Sequence, residues 1–364
     1  MKRLILTTGG TGGHIFPALA IAEAVKTVAP DCEILFVGGD KGPEGRWAAK
    51  AGLEFVALPA RGVMGRGFKS LGALVWLAKS MVQAWRLIGS YRPDVVLGLG
   101  GYAGFACTLA ASLRGVPTAI HEQNSVPGIT NRVLARWVDR ILVSFEDMEA
   151  SGFPSRKVVL TGNPTRGRIC SLRDNNRPMN RNVLVVGGSQ GASALNRLMV
   201  REMDGMKAMG LRIWHQTGRD EYESVREAYA RTYPEARVDA FIDDMHEAYE
   251  FADLVVCRAG ATTIAELTAA GKPSILVPFP YATHDHQLKN AKFLEKKGAA
   301  LLFQQSQLEQ IGFASAVADL FEMPERLLKM GRAAREMGNP DAGKMVVSHL
   351  QELAMNKKDR VKSS

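Results

Sequence analysis

The sequence predicts an α/β fold in which two similar domains, each with a parallel sheet, face each other across a cleft. One observation is length, because 364 residues are more than one hydrophobic core usually serves. A second is an internal echo: a short apolar strand runs into glycines and then a helical stretch at residues 3–25, and again at 182–200. A third is a later pair of segments with equal spacing, Asp94–Gly101 and Asp253–Gly260.

Each half alternates short apolar strands with helices, the order that builds a parallel sheet. In the first half the glycines at 9–13 follow a strand and precede a helix over 17–25. In the second half the corresponding helix covers 192–200, and another covers 262–270. Glycine and proline interrupt the pattern at 162–165, which predicts domains of residues 1–163 and 164–341. The charged segment 356–364 is expected to fray as a flexible tail.

The charge balance points to an anionic partner. There are 46 Lys and Arg against 37 Asp and Glu, a net charge of +9, which suits a phosphorylated substrate, a nucleic acid or an acidic membrane. The four cysteines form no C-x-x-C pair, so neither a zinc site nor a disulfide framework is expected. We expect the protein to reside in a reducing cytosol. The N-terminal apolar run is too short for a signal peptide. Glycines interrupt the uncharged stretch 95–113, which favours strand, loop and helix over a membrane span.

The first glycine loop fits neither common nucleotide fingerprint. Aligned on G-x-G-x-x-G, Gly10 and Gly12 place Ile15 where the third glycine belongs, and the chain has no G-x-x-x-x-G-K-[ST] sequence. What remains is a turn whose backbone N–H groups and following helix N-terminus could hold a pyrophosphate without a metal. A glycine turn that serves only strand–helix packing is the alternative.

Two side chains near the glycine loops are candidate bases. His14 begins a helix, whose positive end favours a neutral imidazole, as a general base requires. Glu122 lies just past a strand, on the edge where ligands bind in open α/β sheets. Asn124 beside it offers a donor and an acceptor, which suits sugar hydroxyls. A helix cap for His14 and a polar loop for the other two are the alternatives.

Glu266 is a candidate ribose ligand in the second half. It lies six residues after Gly260, one or two turns inside a helix, where a carboxylate can accept both ribose hydroxyls. The stretch 284–287, His-Asp-His-Gln, supplies at most three metal ligands and nothing nearby completes them, so no metal is expected.

The stretch 71–88 has helical period and carries two tryptophans among basic residues. Trp76, Lys79, Trp85 and Arg86 are what an interfacial helix needs at an anionic membrane. A core-facing helix with a solvated basic rim is the alternative. Nucleic-acid binding is disfavoured, because aromatic residues make up only 7% and no known nucleic-acid module appears.

Taken together, these residues resemble a family of bacterial peptidoglycan glycosyltransferases, the undecaprenyldiphospho-muramoylpentapeptide β-N-acetylglucosaminyltransferases. The resemblance covers nearly the whole chain. Each motif alone is shared among nucleotide-sugar enzymes, but their order is specific. The motifs are Gly9–His14, Gly98–Tyr102, His121–Asn124, Gly162–Pro164 with Arg166, Val185–Gly191, Trp214–Gln216, Phe241–Asp244 and Arg258–Gly260 through Glu266.

The resemblance implies a GT-B fold, with two Rossmann-like domains and a C-terminal helix at 342–355 that packs back on the first domain. It implies transfer of N-acetylglucosamine from its UDP donor to the muramic acid 4-hydroxyl of lipid I, with inversion and with no metal or other cofactor. It also implies peripheral attachment to the anionic cytoplasmic face of the inner membrane, and a cell-wall synthesis complex as a further partner.

The resemblance also assigns site residues. Lipid I would lie against the loops at Gly100, Gly101 and Tyr102, with His14 as candidate base and Glu122 as its rival. The donor would meet Ser189 and the segment 261–265 at its diphosphate, Ile242 at its uracil and Glu266 at its ribose. One departure is His286, where some relatives carry a glutamine before Gln287. The full donor set is Thr11, Gly12, Gly13, Asn124, Arg166, Ser189, Ile242, Ala261, Thr262, Thr263, Ile264, Ala265, Glu266 and Gln287.

Three other functions remain open from the residues. An epimerase of UDP-N-acetylglucosamine would share the two-domain architecture, but it would not explain the basic helix with its tryptophans. A nucleotide-sugar sensor at the membrane would bind UDP without turnover. An NAD-dependent oxidoreductase is disfavoured by the failed glycine fingerprint.

Overall fold

A computed structural model describes residues 1–59, 70–146, 152–174, 178–188, 191–282 and 285–362. The chain forms two compact units. Unit 1 comprises Met1–Arg166 together with Asn339–Ser364, and unit 2 comprises Gly167–Gly338. The first crossing between units therefore falls three residues beyond the boundary expected from the sequence.

Unit 1 is built on a seven-stranded parallel sheet with strand order β3-β2-β1-β4-β5-β6-β7. Its strands are β1 Arg3–Thr7, β2 Glu33–Gly39, β3 Glu54–Leu58, β4 Val95–Gly98, β5 Thr118–Glu122, β6 Arg140–Val143 and β7 Val158–Leu160. Its helices are α1 Gly12–Val28, α2 Glu44–Lys50, α3 Ser70–Tyr91, α4 Gly101–Leu113 and α5 Ile129–Leu134, completed by the C-terminal helix described below.

Unit 2 contains a six-stranded parallel sheet with order β10-β9-β8-β11-β12-β13. Its strands are β8 Asn182–Val186, β9 Arg212–Gln216, β10 Arg237–Asp239, β11 Leu254–Cys257, β12 Ser274–Leu276 and β13 Ala300–Leu302. Its helices are α6 Gly167–Cys170, α7 Ser193–Arg201, α8 Met203–Ala208, α9 Tyr222–Thr232, α10 Met245–Phe251, α11 Ala261–Ala270, α12 His286–Lys296, α13 Gln305–Ile311, α14 Phe313–Glu322 and α15 Pro324–Met337.

The predicted echo is confirmed by the strand orders. Strands β8 to β13 repeat the arrangement of β1 to β6, with β7 added at one edge of unit 1. Four of the five residues of β1 are buried, as are all five of β8, because helices cover both faces of a parallel sheet. The two glycine turns therefore occupy equivalent places, at the carboxyl ends of the first strands of the two sheets.

The last helix, α16 Ala342–Lys362, belongs to unit 1. Val346, Val347 and Leu350 are fully buried in the same cluster as Leu4 and Ile21. Arg140 on β6 pairs with Glu352 at 2.6 Å. The helix continues past residue 356, where the sequence predicted a frayed tail. Lys and Arg are good helix formers, so a charged segment can extend a helix that is already anchored.

The uncharged stretch at 95–113 is strand β4 followed by α4, as predicted. In the described part of the chain no helix is both long and apolar enough to cross a bilayer. All four cysteines are free thiols.

Candidate functional sites of the two units

In unit 1 the first glycine loop is hydrogen-bonded to a buried carboxylate. The Gly10 N–H donates to Glu44 Oε1 at 2.9 Å, and Glu44 is 1% exposed at the start of α2. Gly10 has φ +101°, which favours glycine. Helix α1 then begins at Gly12, with no acidic residue in its first turn and no side-chain cap from Thr11. The positive end of α1 therefore follows the loop, as predicted. The Gly10 N–H, however, is already hydrogen-bonded to Glu44.

Glu44 belongs to no motif, and sequence reasoning missed it. The only signal was an acidic residue that opens a short helix after a glycine-rich strand end. Such a residue more often serves the helix dipole than a distant loop.

The second glycine loop, at the end of β4, packs directly against the first. A Cβ on Gly101 would lie 2.3 Å from the Gly9 carbonyl oxygen, and Gly101 has φ +76°. A Cβ on Gly100 would lie 3.1 Å from His14 Cε1. Tyr102, half-buried, follows in the first turn of α4. Of the predicted acceptor residues, Gly100 therefore lies beside His14, and Gly101 and Tyr102 follow it at the start of α4.

His14 lies half-buried in the first turn of α1. Its Nδ1 is 2.9 Å from Gln123 Oε1, and Gln123 Nε2 is 3.2 Å from His121 Nδ1. His121 Nε2 in turn lies 3.0 Å from the Gly162 carbonyl oxygen. Burial lowers the pKa of His121 to about 4, so its imidazole is neutral at pH 7. A continuous polar chain thus runs from the buried strand β5 to the half-exposed His14.

Glu122, the rival base, organises the loop that follows β5. It is 1% exposed. Its Oε1 accepts from the Asn124 N–H at 3.0 Å, while Oε2 accepts from the Gly128 N–H at 3.0 Å and from Asn131 Nδ2 at 2.8 Å. A buried carboxylate with both oxygens engaged holds Asn124 in place. This geometry favours His14 over Glu122 as the group that meets substrate.

Arg166 ends the first segment of unit 1. Its guanidinium carbon lies 5.4 Å from the centre of the Phe16 ring, on α1 two residues after His14. Phe16 in turn packs edge-on against Trp47, with ring centres 5.0 Å apart. The predicted donor residues Thr11, Gly12, Gly13 and Arg166 therefore share one end of α1.

In unit 2 the equivalent glycine loop is held by an amide. Gln216, at the end of β9, accepts from the Gly188 N–H at 3.2 Å and donates to the Gly188 carbonyl oxygen at 2.9 Å. A Cβ on Gly191 would lie 2.6 Å from the Thr217 carbonyl oxygen. Ser189, predicted at the diphosphate, lies outside the described residues. Gln216 was noted only as part of a motif, with no role assigned.

Helix α11 carries most of the other predicted donor residues, Ala261, Thr262, Thr263, Ile264, Ala265 and Glu266. It begins after Gly260 with no acidic residue in its first turn and no side-chain cap. Glu266, 7% exposed, accepts from the Tyr249 hydroxyl at 3.0 Å. Tyr249 is fully buried on α10 and was missed, because nothing in its local sequence links it to Glu266. Ile242, predicted at the uracil, is 7% exposed.

Gln287 lies in the first turn of α12, which begins at His286. Its Oε1 accepts from the Phe279 N–H at 2.9 Å, so its amide nitrogen is the group left to donate. Asp285, the residue before α12, has φ +53°. His284 lies outside the described residues. Among the residues that the structure describes, no group of three or more His, Cys, Asp or Glu is arranged to hold a metal.

The predicted membrane residues lie on α3. Trp85 is 43% exposed, and Arg114 lies over its ring at 4.6 Å. Lys79 lies over the Trp76 ring at 5.1 Å, and Arg86 is exposed. The side of α3 that carries Ala84 and Ile88 is buried, so the helix has both a core face and an apolar exposed face.

A second exposed apolar strip lies on α5 and the turn after it, and the sequence did not predict it. Ile129, Val133 and Trp137 are each about half exposed, and their spacing of four residues places them on one side of the helix and its following turn. The exposed Arg132 and Arg136 accompany them. Ser112, at the end of α4, donates to the Trp137 carbonyl oxygen at 2.7 Å, beside the Arg114 that covers Trp85. These residues together are called the apolar-basic face. They are Trp76, Lys79, Trp85 and Arg86 on α3, with Ile129, Arg132, Val133, Arg136 and Trp137 on α5 and the turn after it.

Comparison with known proteins adds the family. Residues 4–143 match the glycosyltransferase family 28 N-terminal domain, and residues 182–346 match the family 28 C-terminal domain. The chain is 51% identical, over 97% of its length and 98% of the relative, to the UDP-N-acetylglucosamine–N-acetylmuramyl-(pentapeptide) pyrophosphoryl-undecaprenol N-acetylglucosamine transferase of Nitratidesulfovibrio vulgaris strain DP4.

Solved structures share the fold. The crystal structure of Acinetobacter baumannii MurG has a TM-score of 0.73 and 33% identity, covering 97% of this chain and all of that one. A UDP-N-acetylglucosamine 2-epimerase from Neisseria meningitidis reaches a TM-score of 0.68 at 12% identity, covering 96% of this chain and all of that one. The second likeness concerns the fold alone.

Proposed function

The chain belongs to glycosyltransferase family 28, and from that premise we propose that it transfers N-acetylglucosamine from UDP-N-acetylglucosamine to lipid I. The acceptor is the 4-hydroxyl of the muramic acid in undecaprenyl-pyrophosphoryl-N-acetylmuramoyl-pentapeptide, and the product is lipid II. The relative in N. vulgaris carries the name of this reaction. The observation that carries the proposal is His14, a half-exposed base candidate placed where two glycine loops and the N-terminus of α1 meet.

We assign donor binding chiefly to unit 2. The N-terminus of α11 has no acidic residue in its first turn, so its dipole favours the diphosphate. Glu266, held by Tyr249, would accept hydrogen bonds from the ribose hydroxyls. Ile242 offers an apolar contact for the uracil, and the Gln287 amide nitrogen a donor for the sugar. Ser189 is kept as a diphosphate ligand from the resemblance.

We assign acceptor and membrane binding to unit 1. The lipid pyrophosphate would lie against the loops at 9–13 and 98–102, where the positive end of α1 opens. Asn124, fixed by Glu122, would meet a sugar hydroxyl from the same unit. Thr11, Gly12, Gly13 and Arg166 are proposed to complete donor recognition from this unit.

The chemical step is an inverting displacement. The His14 imidazole takes the proton of the muramic acid 4-hydroxyl as its oxygen attacks C1 of N-acetylglucosamine. The C1–O bond to the diphosphate breaks, and its electron pair leaves with UDP. Charge grows on the diphosphate as this bond breaks, so the backbone N–H groups at the start of α11 stabilise the transition state more than the ground state. No step of this scheme calls for a metal or another cofactor.

We also propose that the apolar-basic face docks on an anionic membrane. Trp85 and Trp137 are suited to the headgroup region, and the surrounding Lys79, Arg86 and Arg132 to acidic lipid headgroups. A lipid-linked acceptor requires such contact. The proposed location is the cytoplasmic face of the inner membrane, peripherally attached, where a cell-wall synthesis complex would be a further partner.

The function is tested by incubating purified protein with labelled UDP-N-acetylglucosamine and a lipid I analogue. We expect a labelled disaccharide lipid, formed equally in EDTA. A parallel reaction without acceptor should leave the donor unchanged. No disaccharide lipid would refute the proposal, and epimerised sugar in the acceptor-free reaction would favour an epimerase.

Docking is tested by sedimentation with vesicles. We expect binding to vesicles that contain phosphatidylglycerol, weakened by salt and by the double substitution Trp85→Ser and Trp137→Ser. Binding equal to that on neutral vesicles, or unaffected by the double substitution, would argue against this face.

A further inference from the structure

The polar chain that ends at His14 is directional, and its direction can be read from its buried end. The Gly162 carbonyl oxygen, 3.0 Å from His121 Nε2, can only accept a hydrogen bond. His121 Nε2 must therefore carry a proton. Because His121 is fully buried and uncharged, its other nitrogen, Nδ1, is an unprotonated acceptor.

The next link is Gln123, whose amide has only one orientation that satisfies its neighbours. Its nitrogen lies 3.2 Å from His121 Nδ1 and 3.1 Å from the His121 carbonyl oxygen, two acceptors that both require a donor. The reversed amide would place its oxygen against both. Gln123, itself 1% exposed, would then be left with clashing lone pairs in a buried site. The amide oxygen therefore faces His14.

The last link fixes His14. Gln123 Oε1 lies 2.9 Å from His14 Nδ1 and can only accept, so Nδ1 carries the proton. In the neutral imidazole the lone pair is then on Nε2. Gly100 confines the ring, since even a Cβ there would come within 3.4 Å of three of its atoms.

We propose that Gln123 and His121 are positioning residues that hold His14 as its Nδ1–H tautomer, so that Nε2 is the nitrogen that accepts the substrate proton. The assignment rests on the proposed function only for the identity of that proton. The tautomer itself is a property of the resting protein.

An amide in this position has an electrostatic advantage over a carboxylate. In a Ser-His-Asp arrangement the carboxylate orients the histidine and stabilises its cation. Here the neighbouring loops are proposed to receive a pyrophosphate, and a further buried negative charge would repel it. Gln123 orients the ring while remaining neutral. The buried carboxylates nearby, Glu44 and Glu122, are each engaged with backbone N–H groups instead.

The tautomer is tested by nitrogen-15 NMR on the full chain labelled at histidine, without substrate. The His14 signals are assigned by their loss in His14→Gln. We expect a protonated Nδ1 and an unprotonated Nε2 in the wild type, and a shift towards protonated Nε2 in Gln123→Met. A protonated Nε2 together with an unprotonated Nδ1 in the wild type would overturn the proposal, with no variant needed, and so would an unchanged tautomer in Gln123→Met.

The positioning role is tested by steady-state kinetics. Gln123→Met should lower kcat by about 10–100-fold while the KM for UDP-N-acetylglucosamine stays within about twofold. His349→Gln, a half-buried histidine of the same unit on α16, is the matched control and should leave kcat unchanged. Wild-type kcat in Gln123→Met would contradict the proposal. Total absence of transfer in the wild type would instead refute the proposed function and leave the NMR result standing.

Discussion

The glycine loops that follow β1 and β8, called here the glycine corners, occupy equivalent places in the two sheets. Different side chains hold them in place. In unit 1 the Gly10 N–H is held by the carboxylate of Glu44. In unit 2 the Gly188 N–H is held by the amide of Gln216, which also donates back to the Gly188 carbonyl oxygen. One corner is anchored by a single bond to a charged group, the other by a neutral clamp.

The two fully buried histidines, His121 on β5 and His215 on β9, also have different hydrogen-bond partners. His121 of unit 1 connects through Gln123 to the half-exposed His14. His215 of unit 2 lies between Asn196 at 3.1 Å and Tyr229 at 3.3 Å, all three of them buried. The polar network of unit 1 reaches the surface at the imidazole of His14, while that of unit 2 continues from Asn196 Nδ2 to the half-buried carboxylate of Glu221 at 2.5 Å. Two equivalent glycine loops are thus backed by different polar networks, and the network that leads to a candidate base, His14, is the one in unit 1.

The largest expected effect comes from acid. Burial lowers the pKa of His121 to about 4 and of His215 to about 3, from an ordinary 6.5. The unfolded chain therefore binds more protons below pH 6.5, so stability is lost as pH falls from 6.5. The loss due to His121 in unit 1 should reach about 3 kcal/mol near pH 4, and the loss due to His215 in unit 2 about 5 kcal/mol near pH 3.

Hydrogen exchange at a series of pH values measures this in each unit separately. Opening free energies of β5 and β9 should both fall as the pH is lowered from 6.5 to 4. Equal opening free energies at pH 7 and pH 4 in either strand would contradict the assignment of its histidine as buried and neutral.

The glycines Gly101 and Gly260, which follow the equivalent strands β4 and β11, test the difference between the two units. Gly101→Ala places a Cβ 2.3 Å from a backbone oxygen at φ +76°, and should cost about 3–4 kcal/mol. Gly260→Ala, at the equivalent place in unit 2, has φ −68° and no atom nearer than 3.7 Å, and should cost less than about 1 kcal/mol. Calorimetry on both variants checks the difference. Equal shifts in Tm would show that the close approach at Gly101 is dispensable.

Removing the proposed base, His14, should affect turnover more than stability. His14→Ala should lower kcat by about two orders of magnitude, equivalent to about 2.7 kcal/mol, because proton transfer from the acceptor hydroxyl then falls to water. The disaccharide-lipid assay measures it, with His349→Gln as control. Near-normal turnover would transfer the role of base to another group, Glu122 first.

The smallest expected effect falls in unit 2 and on binding. Tyr249→Phe removes the hydroxyl that donates to Glu266 and should weaken UDP binding by about 3–10-fold, near 1 kcal/mol, without lowering kcat at saturation. Calorimetric titration with UDP measures it. Tyr229→Phe, a buried tyrosine bonded to His215 in the same unit, should leave UDP affinity unchanged. A fall in kcat at saturating donor would assign Glu266 to the chemistry instead of to the ribose.

The sequence predicts well what depends on local order. Glycine spacing gave the echo and both corners, and the six-residue step from Gly260 placed Glu266 inside α11. It misses groups that act from a distant strand or helix, such as Glu44, Tyr249 and the role of Gln216. Their partners lie 17 or more residues away along the chain, with no periodicity to connect them. The engagement of Glu122 was missed for another reason: a motif shows that a carboxylate is present, but not that its oxygens are already occupied.

Helix α16 has a consequence for synthesis. It completes the core of unit 1 from the far end of the chain, so unit 2 is an insertion within unit 1. On the ribosome the whole of unit 2 emerges before Val346 and Leu350 can reach Leu4 and Ile21. At about 5–20 residues per second this delay is on the order of 10–40 s. Unit 2 is therefore expected to fold first, and unit 1, which carries His14, can complete its core only after the last helix has been made.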